Sequence, residues 1–148
     1  MKLVSFRRGG KVRIGAITED SSEIVDFSIA APRLPADMSS FIEGGDKALA
    51  AAAKALTTNE KEARIPYKRA KLIAPIPSPR RNIICVGKNY YEHAREFDAS
   101  GFNATADADA IPADPIIFSK ANTTVCGPGD EIPGSILCKR GIAPGLGR

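Results

Sequence analysis

The chain contains one histidine, His93, and Glu96 follows it by three positions in the stretch Gly87-Lys88-Asn89-Tyr90-Tyr91-Glu92-His93-Ala94-Arg95-Glu96. A helix beginning near Tyr90 would put both side chains on one face, one turn apart. Imidazole titrates near neutrality, and a carboxylate beside it orients the ring and favours its protonated form. Such a pair can take a proton from water or from a substrate and return it. The same spacing also suits a helix-start histidine with a surface glutamate, so the flanking sequence has to discriminate between the two.

Ahead of this stretch lies Pro75-Ile76-Pro77-Ser78-Pro79-Arg80-Arg81-Asn82-Ile83-Ile84-Cys85-Val86, a proline-rich entry into a short apolar strand. Behind it come Asp114-Pro115-Ile116-Ile117-Phe118-Ser119-Lys120-Ala121 and then Val125-Cys126-Gly127-Pro128-Gly129-Asp130-Glu131-Ile132-Pro133. In this order the segments resemble the fumarylacetoacetate hydrolase family: G-x-N-Y-x-x-H-x-x-E, then P-x-x-F-x-K, then G-P-G-D-x-I-P. The resemblance is close over residues 70–134. The looser amino-terminal part is similar to the small leading domain that many bacterial members carry.

The resemblance implies a metal-dependent enzyme acting on a small diketo or oxo acid from aromatic or related catabolism, by hydrolysis or lyase cleavage of a carbon–carbon bond, decarboxylation or isomerisation. It makes His93 and Glu96 the pair that activates water or moves a proton. A Mg²⁺ or Mn²⁺ ion held by carboxylates would chelate the oxo-acid oxygens and stabilise the developing enolate. Lys88 stands where relatives place a basic residue near the substrate, and Lys120 matches the lysine of F-x-K. Both suit an anionic substrate, though an isolated lysine is also an ordinary surface charge. By the same analogy the protein is a homodimer.

In the family the G-P-G-D-x-I-P turn leads to a strand carrying E-x-E and, further on, a third acidic ligand. Here no Asp or Glu occurs after Glu131, and residues 135–148 are basic and glycine-rich, without strand alternation. Hard divalent cations need several oxygen ligands. No metal ligand is therefore assigned in this sequence. The chain by itself is expected not to bind the ion, and the tail is expected to be foreign to the family pattern through frameshift, truncation or assembly error.

At 148 residues, with 43% hydrophobic and 26% charged residues, the composition suits one globular core, or a small domain plus part of another. No apolar run approaches the ~20 residues of a membrane span, and Met1–Arg8 lacks the apolar core of a signal peptide. A cytoplasmic protein without a membrane partner is the expectation. Cys85, Cys126 and Cys138 are widely spaced, which suggests neither a zinc site nor a disulfide framework, and Cys85 is read as a buried thiol. The net charge of +4 comes from scattered basic pairs, with no module to present bases, so no nucleic-acid partner is expected.

Lys2 to Phe6 and Lys11 to Ile17 alternate around Arg8-Gly9-Gly10 and predict a hairpin, with Glu23 to Phe27 as a third strand. Asp37 is placed to cap a short helix to Phe41, and Asp46 a helix over 47–56 in which the run Ala50 to Ala53 is filler. Residues 57–67 read as a linker, and Lys71 to Ala74 as the next strand. Residues 99–113 read as a mobile excursion, and Asp107 and Asp109 in it as solvated rather than metal-binding.

The expected fold class is α+β, mainly β. A small amino-terminal β domain (1–66) is followed by the incomplete start of a catalytic domain of mixed β-roll type (67–134) and an atypical tail (135–148). Two functions follow: an enzyme of this family, or a catalytically inactive fragment that keeps the histidine segment without the metal-binding half.

Overall fold

A computed structural model describes residues 1–87, Glu92 and 114–131 of the chain. Seven strands and three helices are described: β1 (Lys2–Arg8), β2 (Lys11–Ile17), β3 (Glu23–Asp26), α1 (Phe27–Ala30), α2 (Met38–Glu43), α3 (Gly45–Leu56), β4 (Arg64–Pro66), β5 (Lys71–Ile73), β6 (Ile83–Gly87) and β7 (Ile116–Lys120). The class is α+β, mainly β. Two compact units are distinguished, one formed by Met1–Pro77 with the segment from Val125 onward, the other by Ser78–Thr124.

The first unit is built on a five-stranded antiparallel sheet in the order β4-β3-β2-β1-β5. Its central hairpin turns where the sequence predicts. Arg8 pairs with Lys11 across Gly9 and Gly10, whose φ angles of 57° and 76° are the left-handed values a tight two-residue hairpin turn requires. No heavy atom would crowd a Cβ at either glycine, so the constraint is purely conformational. The β2–β3 connection is held by Asp20, whose carboxylate accepts from the Thr18 hydroxyl (2.6 Å), the Ser22 hydroxyl (2.6 Å) and the Ser22 amide (3.1 Å).

The helices cover one sheet face. Phe27, Met38 and Phe41 meet Ile14 and Ala16 of β2, and the Phe27 and Phe41 rings stack at 5.9 Å. Ala48, Ala52 and Ala55 recur at helical spacing and form the buried side of α3, so Ala52, within the run read as filler, is a core residue. Their small side chains let the helix lie close against its neighbours.

Several boundaries differ from the sequence reading. Asp37 does cap α2, accepting from the Ser40 amide at 2.9 Å. Asp46, however, lies in the first turn of α3, and the cap is Gly44, whose carbonyl accepts from Ala48. Phe27 leaves β3 to begin α1, because Asp26 caps that short helix through the Ser28 amide. The 57–67 stretch is not merely a linker: Ile65 pairs with Ile24, and Arg64 Nη1 donates to Glu23 Oε2 at 2.7 Å, which adds β4 to the sheet. β5, assigned in sequence to the second domain, pairs with β1 and belongs to the first sheet.

Asp26 is completely buried and carries a network that no local motif announces. Its Oδ2 accepts from Arg8 Nη1 (3.1 Å) and Arg13 Nη1 (2.9 Å), while its Oδ1 accepts from the Ser28 amide and hydroxyl. A buried carboxylate is tolerated only with such pairing.

Candidate active-site segment

The second unit is a hairpin of β6 and β7 in antiparallel register, from Ile83 opposite Lys120 to Gly87 opposite Ile116. The apolar run Ile83-Ile84-Cys85-Val86 and the run Ile116-Ile117-Phe118 are short, rich in β-branched residues and bounded by proline and glycine, as strands should be. At the far end, Asn122 Nδ2 donates to the Pro79 carbonyl at 3.0 Å and ties the exit of β7 to the proline-rich entry of β6. Nothing in the sequence pattern pointed to that bond.

Gly87 and Ile116 form one rung, so the chain between them leaves and returns to the hairpin at a single point, on the order of 5 Å apart in Cα position. The histidine motif is therefore carried on an excursion anchored at both ends by paired strands. His93, Glu96 and Lys88 themselves lie outside the described residues, as do Asp107, Asp109 and the 99–113 stretch. Glu92, within the motif, is helical and exposed.

Lys120 is described, exposed, and placed at the opposite end of β7 from Gly87. Four rungs separate it from the Gly87–Ile116 pair, about 14 Å along the strand. It thus stands away from the base of the histidine excursion, and the described residues do not bring the two together. By strand alternation it shares a face with Phe118 and Cys85. Cys85 is half-buried rather than buried, and Cys126 is exposed.

Among the described residues, no element covers the hairpin as an apolar sheet is normally covered. Ile84 and Ile117 are 68% and 59% exposed on one face, and Ile116 and Phe118 are exposed on the other. In the first unit, by contrast, Ile14, Ile24, Phe27 and Phe41 are buried, while Val12, Ile42 and Leu49 remain exposed.

The G-P-G-D turn belongs to the first unit and shows why its residues are needed. Asp130 Oδ2 accepts from the Gly127 amide at 2.8 Å and closes the turn, and Gly129 adopts a left-handed φ of 76°. A Cβ on Gly127 would lie 2.9 Å from the Ile73 Cα and 3.0 Å from the Ala74 nitrogen, so only glycine lets the turn approach β5 this closely. The motif acts here as a clamp on the end of β5.

Among the described residues, no group of three or more His, Cys, Asp or Glu is placed to hold a metal ion. They do not supply the carboxylate set that Mg²⁺ or Mn²⁺ requires. Among the described residues, no helix is long and apolar enough to cross a membrane.

Residues 82–140 match the family model described as fumarylacetoacetate hydrolase C-terminal, a match that spans β6, the histidine motif, β7 and the G-P-G-D turn. Over this stretch the chain is a segment of the fumarylacetoacetate hydrolase family. It is 34% identical over 134 residues to oxaloacetate tautomerase fahd2, mitochondrial, of Xenopus laevis, covering 89% of this chain and 38% of that protein. Oxaloacetate tautomerase YisK of Bacillus subtilis is 34% identical over 144 residues, with 89% of this chain and 45% of that protein covered. A fumarylacetoacetate hydrolase from Exiguobacterium antarcticum aligns with a TM-score of 0.49 at 25% identity, over 84% of this chain and 36% of that one. The chain thus spans less than half the length of these relatives. The family match reaches Arg140 and so extends into the stretch that the sequence reading set apart as atypical.

Proposed function

We propose that this chain supplies the amino-terminal domain and the proton-handling segment of an enzyme that interconverts the keto and enol forms of a small oxo acid, oxaloacetate being the first candidate. The observation that carries this reading is the similarity of about a third of aligned positions to proteins named oxaloacetate tautomerase, in an animal and in a bacterium. The histidine motif in the family-matched stretch supports it further.

Tautomerisation removes a proton from the carbon between the carbonyl and the distal carboxylate and delivers one to the carbonyl oxygen. In the proposal, the neutral imidazole of His93 accepts the carbon-bound proton, while the Glu96 carboxylate holds the ring's other N–H and stabilises the imidazolium that forms. The imidazolium then gives that proton to the enolate oxygen, completing the enol, and the reverse sequence restores the keto form. Lys88, beside the rung that anchors the excursion, faces a substrate carboxylate. Lys120, four rungs away, has the weaker claim to substrate contact. A divalent metal, a homodimeric assembly and a cytoplasmic location belong to the same proposal; the Xenopus relative is named mitochondrial.

A second reading, in which this 148-residue polypeptide has no activity by itself, is favoured by the lack of Asp and Glu after Glu131. Ultraviolet absorbance of the oxaloacetate enol distinguishes the two. We compare the chain alone with the chain continued by the carboxy-terminal portion of the Bacillus relative. Acceleration of enol decay by the continued chain, with a loss of about 10²–10⁴-fold in His93→Ala and in Glu96→Gln, is the expected result. Unchanged rates in both variants would remove the pair from the mechanism.

A further inference from the structure

On the first unit, remote in sequence from the histidine motif, an open groove of about 770 Å³ runs between the Ala30–Pro35 segment and one side of α3. Its α3 wall follows residues 47, 48, 51, 54 and 55, a single helical stripe, with Gly44 ahead of the helix and Thr58 beyond it. Within α3 (Gly45–Leu56) the stripe runs from Lys47 to Ala55, about 12 Å along the helix axis. Leu34 and Pro35 on the loop side and Ala48, Ala51 and Ala55 on the α3 side line it, so the lining is largely apolar and, on the α3 side, low.

The rim is charged with one sign. Arg33 stands on the loop side and Lys47 and Lys54 on the α3 side, and no Asp or Glu lines the groove. All three cations are exposed, and none is joined to a carboxylate among the described residues. Three other arginines of this unit are engaged, Arg8 and Arg13 with Asp26 and Arg64 with Glu23, whereas Arg7 and Arg69, like the groove cations, form no salt bridge among the described residues.

From this combination we infer that the groove seats an acidic amphipathic helix of a partner protein. The open side fits an elongated occupant better than a small molecule, which a closed pocket would bury on most sides. Helix-in-groove recognition uses an apolar stripe read at helical spacing, and alanines in the floor let a partner helix approach closely. Lys47 and Lys54 lie seven positions apart, about 10.5 Å along α3. Carboxylates at i and i+7 on an occupant helix share that spacing, and an acidic residue on its opposite flank meets Arg33.

The test uses the full chain and two fluorescein-labelled 18-residue helical peptides with one leucine stripe in common. One carries Glu at seven-residue spacing on both flanks, the other Lys. Fluorescence anisotropy at physiological salt is expected to show the Glu peptide binding about tenfold more tightly, the combined effect of three partly exposed ion pairs. Ala51→Trp, which fills the floor, should weaken it about tenfold further. The Lys47→Glu, Lys54→Glu double variant should reverse the preference between the peptides. Because both lysines are exposed, that variant decides the matter if Ala51→Trp lowers the melting temperature. Equal binding of the two peptides, or a preference that survives charge reversal, would overturn the inference. So would binding of dodecanoate without binding of the acidic peptide, which would give the groove to a small amphiphile.

Discussion

The five-stranded unit and the β6–β7 hairpin use the same apolar residue types in opposite ways. In the first, Ile14, Ile24, Phe27 and Phe41 are buried beneath or between elements that are all present among the described residues. In the second, Ile84, Ile116, Ile117 and Phe118 point from both faces of a two-stranded ribbon into solvent. A two-stranded hairpin is marginal by itself, whereas several strands covered by helices can hold a core. The family-matched histidine motif thus lies in sequence between the two described strands with the least packing of their own.

Truncation should expose this difference most sharply. Phe41 is 1% exposed and stacks on Phe27, so Phe41→Ala is expected to cost about 3–5 kcal/mol in urea unfolding. Ile84→Ala, at a residue 68% exposed, should stay within about 0.5 kcal/mol. Equal losses at the two positions would show that the hairpin is covered in solution.

Asp26→Ala comes next, with an expected loss of about 3 kcal/mol, because it strands the Arg8 and Arg13 guanidiniums and removes the α1 cap together. Retention of parental stability would mean that the arginines find water at no cost. Gly127→Ala should lose about 1–3 kcal/mol by pushing the G-P-G-D turn off Ile73 and Ala74. A crystal structure of that variant with the turn unmoved would contradict the clamp.

The smallest effect concerns acid. The hydroxyls of Ser22 and Thr18 hold the Asp20 carboxyl down at about 2. The folded value lies below that of the unfolded chain, so its stabilisation is complete above roughly pH 4–5 and fades as pH falls toward 2. Asp20→Asn should therefore flatten the stability profile in that window and leave it unchanged in shape at neutral pH. An identical acid slope in parent and variant would show that the turn contributes nothing there.

How much of this was legible depended on how local the cause was. The β1–β2 hairpin announces itself, because alternation and a Gly-Gly pair act within a few residues. β4 did not, since three residues ending in proline carry no strand pattern until Ile24 offers a partner. The Asp26 network was invisible because Arg8 and Arg13 are brought to it only by register across three strands. The histidine segment was legible as a motif with its flanks, and the paired strands Ile83–Gly87 and Ile116–Lys120 bear out those flanks. The placement of His93 and Glu96 depends on more than the described strands.

The most direct test of the functional account is solvent deuterium exchange at the methylene carbon of oxaloacetate, followed by proton NMR. The protein used is the chain continued by the Bacillus relative's carboxy-terminal portion. Exchange well above the buffer rate, lost in His93→Ala and retained in Lys120→Ala, is the result expected of a proton-transferring histidine with Lys120 at a distance. Exchange at the buffer rate by the continued chain, or exchange undiminished in His93→Ala, would contradict the account.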